Sequence, residues 1–294
     1  MTHTVSFVGL GAMGLNSARL LAAAKDIRLQ AFDLRAEALQ IIIEAGGQAC
    51  ASAAEANREA SHAVIFVVNG KQTEQVIFGD QGLHETAQPG LVIISCVTMM
   101  PEEAAALGER CKARGWTFID APVSGGMVGA AHGTLTIMAG GNRQKIEESR
   151  FIFDLMGNRL KVVGERPGQG AMVKAINQLL CGVHLAAAGE ALALAEHAGL
   201  DKQAVFDVVS QSAAASWMLN DRGPRMVADE YDTVTSAVDI FVKDLGIVSD
   251  VARSLRFPAP IAAAALQSFL GVSGRGMGKL DDAAVLRYYQ GFAE

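Results

Sequence analysis

The stretch Val5–Leu21, VSFVGLGAMGLNSARLL, decides the fold of the first half of this 294-residue chain. A short apolar run leads into three glycines spaced as GxGxxG, at Gly9, Gly11 and Gly14, and a helical run over Ala12–Ala24 follows. The spacing alone is weak evidence because glycine is a common residue. The strand directly before it and the helix directly after it give the spacing its meaning.

This turn predicts a binding site for a dinucleotide. Gly9 permits the tight turn, Gly11 lets the backbone approach a pyrophosphate without a Cβ in the way, and Gly14 lets the helix pack closely on the strand. The N–H groups at the start of the helix then face the phosphates. The backbone of Ala12 and Met13, between the last two glycines, belongs to the same predicted site.

Asp33 ends the predicted second strand, Arg28–Asp33, and predicts which dinucleotide is bound. A carboxylate there accepts hydrogen bonds from the adenosine ribose hydroxyls and repels a 2′-phosphate, so NAD is favoured over NADP. Arg35 lies two residues further on and could weaken that repulsion, which leaves the preference open. The alternative interpretation is an ordinary glycine turn followed by a surface aspartate.

Strands alternate with helices as far as residue 164 and give way to helices alone beyond it. The predicted strands are Thr4–Val8, Arg28–Asp33, His62–Val68, Leu91–Ser95 and Trp116–Asp120, and the helices among them are Ala12–Ala24, Arg35–Ala45 and Pro101–Arg114. Helical runs follow a breaker cluster at Glu165–Gly170, over 170–197, 202–212, 216–227, 235–255, 259–270 and 282–292. The pattern predicts an α/β fold, a Rossmann-type doubly wound parallel sheet over 1–164, followed by an all-α domain over 165–294.

Composition excludes several functional classes. The net charge of −6 is spread over the chain without a basic block, which argues against nucleic acid as a partner. The four cysteines lie far apart and no histidine cluster has metal spacing, so we expect reduced thiols in a cytoplasmic protein and no metal. The apolar run Val173–Leu194 is long enough to span a membrane. Its polar residues favour a helix buried in a soluble protein, with no membrane partner.

The segment DAPVSGG, which follows the strand Trp116–Asp120, offers a hydroxyl at Ser124 and uncrowded backbone N–H groups at Gly125 and Gly126. Successive exposed amides form an anion-binding concavity, and a small carboxylate would suit it. The alternative is a flexible loop.

Four motifs in register, GLGAMG, DAPVSGG, GQGAMVKAINQ and KDL at Lys243–Leu245, resemble the β-hydroxyacid dehydrogenases over essentially the whole chain. That family includes 3-hydroxyisobutyrate dehydrogenase and tartronate semialdehyde reductase. The resemblance implies an NAD-dependent enzyme that acts on a small hydroxy acid. It also implies roles for individual residues: Gly9, Gly11, Gly14 and Asp33 for the dinucleotide, Thr98 for its ribose, Ser124, Gly125 and Gly126 for the substrate carboxylate, Lys174 for catalysis with Asn177 beside it, and Lys243 near cofactor and substrate.

Some positions depart from the family pattern and bear on the substrate. The first helix reads MGLNSA rather than MGxPMA, Gln178 replaces a second Asn, and Asn69 stands where Pro is usual. The segments VVN-x-x-Q, NQLL-x-GVH, SWM-x-x-x-R and SAVDIFVKDLG resemble the L-threonate dehydrogenase branch. That branch oxidises C2 of a four-carbon sugar acid to give 2-dehydro-L-erythronate. The alternatives are 3-hydroxyisobutyrate dehydrogenase, tartronate semialdehyde reductase and, from another class, a non-catalytic NAD-binding sensor. Retention of both Lys174 and Asn177 favours an enzyme.

On a helix, Lys174, Asn177, Gln178 and Cys181 share one face because each residue advances about 100°. The other faces are mostly apolar, so the helix is predicted to be buried. An unpartnered ammonium would be costly there. A partly desolvated lysine can exchange protons near neutrality, so Lys174 suits the removal of a hydroxyl proton, with Asn177 binding the reacting oxygen or orienting the substrate. The alternative is a lysine whose head reaches water.

Other polar residues have competing interpretations. His184 lies about 15 Å further along the helix than Lys174 and is expected to be buried or at an interface, or else to support the substrate hydroxyls indirectly. Trp217, Asn220 and Arg222 could line the distal end of the pocket, or Trp217 could pack between helices and Arg222 be solvated. Adjacent Lys243 and Asp244 are expected to need separate partners.

Two expectations concern the whole molecule. The active site should lie in a cleft between the domains, with the Ser124–Gly126 turn on one side and Lys174 on the other. The helical domain has more apolar surface than one small bundle needs, so we expect a homodimer or a homotetramer.

Overall fold

The computed structural model describes residues 2–291 and divides into two compact units, one ending at Lys174 and the other beginning at Ala175. This division lies inside one helix and further along the chain than the predicted boundary at 164/165. The reason is that the first turns of that helix pack within the first unit.

The first unit alternates strands and helices. Its strands are β1 (His3–Val8), β2 (Ile27–Phe32), β3 (Gln48–Ala49), β4 (His62–Ile65), β5 (Val92–Ser95), β6 (Thr117–Asp120), β7 (Val123–Ser124), β8 (Leu135–Gly140) and β9 (Gly157–Gly164). Its helices are α1 (Gly14–Ala22), α2 (Ala36–Glu44), α3 (Ala53–Asn57), α4 (Gly70–Phe78), α5 (Pro101–Lys112), α6 (Gly126–His132), α7 (Arg143–Glu148) and α8 (Arg150–Met156).

The remaining elements are helical. They are α9 (Gln169–His197), which begins in the first unit, and then α10 (Lys202–Val209), α11 (Trp217–Ala228), α12 (Val238–Ser254), α13 (Pro260–Val272) and α14 (Leu286–Gln290). Strands β1 to β6 are mutually parallel in the order β3-β2-β1-β4-β5-β6, and β8, β7 and β9 extend the sheet beyond β6. The predicted fold class, a Rossmann-type sheet followed by an all-α domain, is confirmed.

The order of the parallel strands determines where a ligand can bind. The chain runs from β1 to β2 and β3 on one side and then returns to place β4 on the other side of β1. Ligands of such sheets bind outside the carboxyl ends of the strands, where the strand order reverses. That point lies at the carboxyl ends of β1 and β4, where the glycine turn begins.

Successive apolar side chains of the central strands lie in two different cores, one on each face of the sheet. Phe7 and Val64 belong to one apolar core, and their neighbours Val8 and Ile65 belong to another. Successive side chains of a strand point to opposite faces, so a continuous apolar run fills both cores.

Four strands, β3, β7, β8 and β9, were not predicted from the sequence. The residues after β6 were interpreted as a turn, whereas β7 and β8 form an antiparallel pair and β9 adds in parallel to β8. Strand β7 has only two residues and the segment is rich in glycine, so no alternation reveals it. Ser124 belongs to regular structure, because it pairs with Thr136 of β8.

Helix α9 is the one helix within residues 2–291 that is long and apolar enough to cross a membrane. Half of its most apolar window is buried inside the protein. Core helices of globular proteins meet the same length and composition criteria, so the helix is weak evidence for a membrane span.

Candidate active site

The glycine turn has the geometry that the sequence predicts. Gly9 has a φ of +97°, and a Cβ on it would lie 2.5 Å from the carbonyl oxygen of Phe66. A Cβ on Gly14 would meet the carbonyl oxygen of Gly9 and lie 2.9 Å from Phe66 Cβ. A Cβ on Gly11, in contrast, would meet no atom within 4 Å. The turn is tightly packed at its two ends and open in the middle, which fits close approach of a pyrophosphate at Gly11.

Asp33 follows β2 at the carboxyl edge of the sheet and is held by its neighbours. Its Oδ2 accepts a hydrogen bond from the Leu10 backbone N–H at 2.6 Å. Its Oδ1 accepts from the backbone N–H of Arg35 at 2.9 Å and from the guanidinium Nε at 3.1 Å. Burial alone would raise the pKa of Asp33, but these hydrogen bonds outweigh it and hold the pKa below its ordinary value. The ion pair with Arg35 partly neutralises the carboxylate, as the sequence suggested.

Thr98 follows β5, and the segment from Ser124 to Gly126 runs from the last residue of β7 to the first residue of α6. Thr98 is half-buried between β5 and α5. Gly125 and Gly126 have φ values of +133° and +64°, in the region that favours glycine. A Cβ on Gly126 would again meet no atom within 4 Å, so its backbone is open to a ligand.

Asp120, at the end of β6, anchors the beginning of α9. Its Oδ2 accepts hydrogen bonds from the backbone N–H groups of Gly168 at 2.9 Å and Ala171 at 2.7 Å. Burial raises the pKa of this carboxyl to about 6, although the N–H groups of Ala171, Gly168 and Gly170 act in the opposite direction. No sequence motif predicted this role for Asp120. The cap is formed across 48 residues, so no local capping pattern could have revealed it.

The glycines of GQG allow this close approach. Gly168 has a φ of +95°, and a Cβ on it would lie 2.6 Å from the carbonyl oxygen of Pro101. A Cβ on Gly170 would lie 2.5 Å from the carbonyl oxygen of Met138. The first turn of α9 is therefore pressed against the strands of the first unit.

Lys174 lies one turn further along α9 and is buried, with 8 % of its surface exposed. The Lys174 side chain is therefore largely shielded from water. Asn177, three residues on, is half-buried. Its Nδ2 donates to Gln178 Oε1 at 2.9 Å and lies 3.4 Å from Cys181 Sγ.

Lys243 and Asp244 are paired, contrary to the sequence prediction. Lys243 Nζ lies 2.7 Å from Asp244 Oδ1, and Gln178 Nε2 donates to Asp244 Oδ2 at 2.5 Å. Neighbouring side chains leave a helix about 100° apart, but the four-carbon stem of lysine is long enough to turn back. Residues from two of the four motifs, Asn177 and Lys243, are thus joined through Gln178 and Asp244.

Comparison with known proteins identifies the family. The model of the NAD binding domain of 6-phosphogluconate dehydrogenase matches residues 4–164, and the model of the NAD-binding domain of NADP-dependent 3-hydroxyisobutyrate dehydrogenase matches residues 168–289. The chain belongs to the β-hydroxyacid dehydrogenase family. It is an NAD-dependent dehydrogenase of a small hydroxy acid, as its sequence predicts.

Three relatives of the dehydrogenase are informative. An L-threonate dehydrogenase of Cupriavidus necator is 43% identical over 99% of this chain and 97% of its own length. One of Escherichia coli O6:H1 is 39% identical over 98% of this chain and 95% of its own. The crystal structure of a 3-hydroxyisobutyrate dehydrogenase from Salmonella typhimurium is 40% identical, with a TM-score of 0.91 over 97% of this chain and 99% of that one.

Within the second unit of the dehydrogenase, several residues differ from the sequence predictions in their burial and contacts. Arg222 is buried and forms a bidentate ion pair with Asp282, in which Nε donates to Oδ1 at 2.8 Å and Nη2 donates to Oδ2 at 3.2 Å. The interpretation of Arg222 as a solvated residue is therefore wrong. Trp217 and Asn220 are exposed on α11, so Trp217 is not packed between helices. His184 is exposed rather than buried.

Proposed function

We propose that this dehydrogenase oxidises L-threonate at C2, giving 2-dehydro-L-erythronate, with NAD as the hydride acceptor and Lys174 as the general acid/base. The observation that carries the proposal is the buried position of Lys174 near the anchored start of α9, on the same helical face as Asn177. The substrate comes from the two L-threonate dehydrogenases that match nearly the whole chain.

Oxidation of the alcohol removes a hydride from C2 and a proton from its hydroxyl. NAD supplies the acceptor for the hydride. Lys174 Nζ, as a neutral amine, takes the hydroxyl proton and becomes an ammonium, and the same group returns the proton when the ketone is reduced. Burial supports this role because loss of water disfavours the charged form of a lysine. Asp120 supports it indirectly by holding the first turn of α9 in place.

The other predicted residues bind rather than react. We assign the dinucleotide to Gly9, Gly11, Ala12, Met13, Gly14 and Asp33, with Thr98 and Lys243 beside it. The backbone at Ser124, Gly125 and Gly126 is assigned to the substrate carboxylate. The positive φ values of the two glycines and the open space at Gly126 support this assignment, because backbone N–H groups without a nearby Cβ are accessible to an anion.

A panel of hydroxy acids tests the proposed substrate. L-Threonate, 3-hydroxyisobutyrate, glycerate and, for the reverse reaction, tartronate semialdehyde are assayed with NAD(H) and NADP(H) by absorbance at the nicotinamide band. We expect the highest kcat/KM for L-threonate with NAD. A higher value for 3-hydroxyisobutyrate would favour the function named for the Salmonella structure and refute the L-threonate assignment.

Lys174→Ala tests the catalytic assignment. We expect kcat to fall by about 10²- to 10⁴-fold, the usual contribution of general acid–base catalysis, while NADH binding measured by fluorescence stays within about twofold. Lys161→Ala, at an exposed position of β9, is the matched control and should leave kcat unchanged. Near-normal turnover of Lys174→Ala would refute the assignment. If the wild-type protein binds NADH but oxidises none of the acids, the sensor interpretation is favoured.

We also propose a cytoplasmic homodimer or homotetramer. The exposed large apolar side chains of the second unit support association of copies, since they include Ile176, Leu180, Leu194, Phe257 and Ile261. Light scattering on the purified protein measures the subunit number, and a monomer at micromolar concentration would refute the proposal.

A further inference from the structure

A hydrogen-bonded chain inside the second unit runs from a buried carboxylate to Asn177. Asp244 is 3 % exposed and Gln178 is 7 % exposed. Asp244 pairs with Lys243 through Oδ1 and accepts from Gln178 Nε2 through Oδ2, at 2.7 and 2.5 Å. Gln178 Oε1 then accepts from Asn177 Nδ2 at 2.9 Å. Gln178 is also the position where this chain departs from the Asn of the family pattern.

The chemistry of Asp244 determines the direction of every hydrogen bond in this chain. An ionised carboxylate only accepts, so Gln178 must turn its NH₂ group to Asp244. The carbonyl oxygen of Gln178 then faces Asn177, which must in turn present its own NH₂ group. The second N–H of Asn177 is directed to Cys181 Sγ, a weak acceptor at 3.4 Å. The group that the Asn177 side chain offers to a ligand is therefore Oδ1, an acceptor.

An acceptor at this position restricts what Asn177 can bind. The reacting hydroxyl has one proton, and the proposed function directs that proton to Lys174 Nζ. It cannot also be donated to Asn177 Oδ1. A carboxylate or a carbonyl oxygen of the substrate has no proton to give. The partner that fits is a second hydroxyl, near the carbon that is oxidised.

We infer that Asp244 and Gln178 are positioning residues that fix the side-chain amide of Asn177 as a hydrogen-bond acceptor, and that Asn177 thereby selects acids with a second hydroxyl next to the reacting one. The inference rests on the proposed function for the identity of the reacting hydroxyl. It decides between the two roles that the sequence left open for Asn177, in favour of orienting the substrate. A half-buried acceptor that no hydroxyl satisfies is costly, so acids with a single hydroxyl are disfavoured.

The kinetic test compares L-threonate with 2,4-dihydroxybutanoate of the same configuration at C2, which lacks only the hydroxyl at C3. In Gln178→Met the side chain keeps its length and loses its amide, so the orientation of the Asn177 amide is no longer imposed. We expect kcat/KM for L-threonate to fall by about 5- to 100-fold, and that for 2,4-dihydroxybutanoate to stay within about twofold. A structural defect would lower both values equally, and that result would overturn the inference.

A double-mutant cycle shows whether Gln178 acts through Asn177. The loss of kcat/KM for L-threonate in the double variant Asn177→Ala/Gln178→Met should equal the loss in Asn177→Ala alone. Additive losses would overturn the inference. Gln203→Met is the matched control, because Gln203 Nε2 donates to Asp207 Oδ1 at 2.7 Å on the exposed side of α10. It should change neither substrate's kcat/KM.

A measurement without turnover separates this inference from the proposed function. In ¹⁵N-labelled, NAD-saturated protein, the side-chain NH₂ signals that disappear in Asn177→Ala identify Asn177. They should shift and exchange faster with solvent in Gln178→Met, and also in Asp244→Asn if the first variant folds poorly. Unchanged signals in the folded variants would overturn the inference. If the signals change but L-threonate is not oxidised, the proposed substrate fails and the positioning role of Asp244 and Gln178 stands.

Discussion

Alanine in place of Gly14 and alanine in place of Gly11 should have different consequences for the glycine turn. A Cβ added at Gly14 meets the carbonyl oxygen of Gly9 and lies 2.9 Å from Phe66 Cβ, closer than packed carbon atoms approach. A Cβ added at Gly11 meets no atom within 4 Å, and Gly11 does not have a positive φ that would strain alanine. Gly14→Ala should therefore damage the fold, and Gly11→Ala should damage only the binding of the dinucleotide.

The expected magnitudes follow from these distances. Overpacking a buried site costs about 1–3 kcal/mol, and one kcal/mol lowers Tm by about 2–4 °C in a unit of this size, so Gly14→Ala should lower Tm by about 2–12 °C. Gly11→Ala should change the free energy of unfolding by no more than about 0.5 kcal/mol. Its methyl group occupies the space that a pyrophosphate needs, so Kd for NADH should rise about tenfold or more.

Differential scanning fluorimetry without NAD measures the first effect, and titration of NADH fluorescence measures the second. The two variants are compared with the wild type in the same buffer, because bound NADH itself raises Tm. If Gly11→Ala lost as much Tm as Gly14→Ala, or bound NADH as tightly as the wild type, the division of the turn into packed ends and an open middle would be refuted.

Three further predictions concern buried or paired ionisable groups. Asp33→Ala should weaken the binding of NAD and leave Arg35 available for a 2′-phosphate. The ratio of Kd for NAD to Kd for NADP should therefore rise by about tenfold. An unchanged ratio in fluorescence titrations would contradict this role of Asp33. Burial is the main cause that lowers the pKa of His62 from 6.5 to about 4. As the pH falls from 6.5 towards 4, His62 of the unfolded chain binds a proton before His62 of the folded protein does. The free energy of unfolding that neutral His62 contributes above pH 6.5 is therefore lost over this range. Relative to His62→Gln, the wild type should lose about 3 kcal/mol of unfolding free energy between pH 7.5 and pH 4 in urea titrations, and a constant difference would argue against a buried neutral His62. Arg222→Met leaves the fully buried Asp282 without its guanidinium and should cost about 3–5 kcal/mol in chemical denaturation, whereas Arg222→Met/Asp282→Leu should recover much of that loss; a single variant as stable as the wild type would show that the pair is dispensable.

Prediction from sequence succeeded where the signal is local. The glycine turn was predictable because a missing Cβ has the same consequence in any strand–turn–helix segment, and the buried strands were predictable from continuous apolar runs. Strands β7 to β9 were not, since β7 is two residues long and gains its hydrogen bonds only from β8. Arg222 was misinterpreted because its partner, Asp282, is 60 residues away in the chain.

The sequence by itself therefore determined the fold class, the family and the chemical nature of the candidate site: a dinucleotide turn, a Ser-Gly-Gly turn, a lysine and an amide. These depend on residue types and short spacings. Only the tertiary structure decided how the polar groups are held. Asp120 reaches the start of α9 across 48 residues, and Asp244 reaches Gln178 across 66. A buried carboxylate must find its donors wherever the fold brings them, so its partners are set by packing rather than by position in the chain.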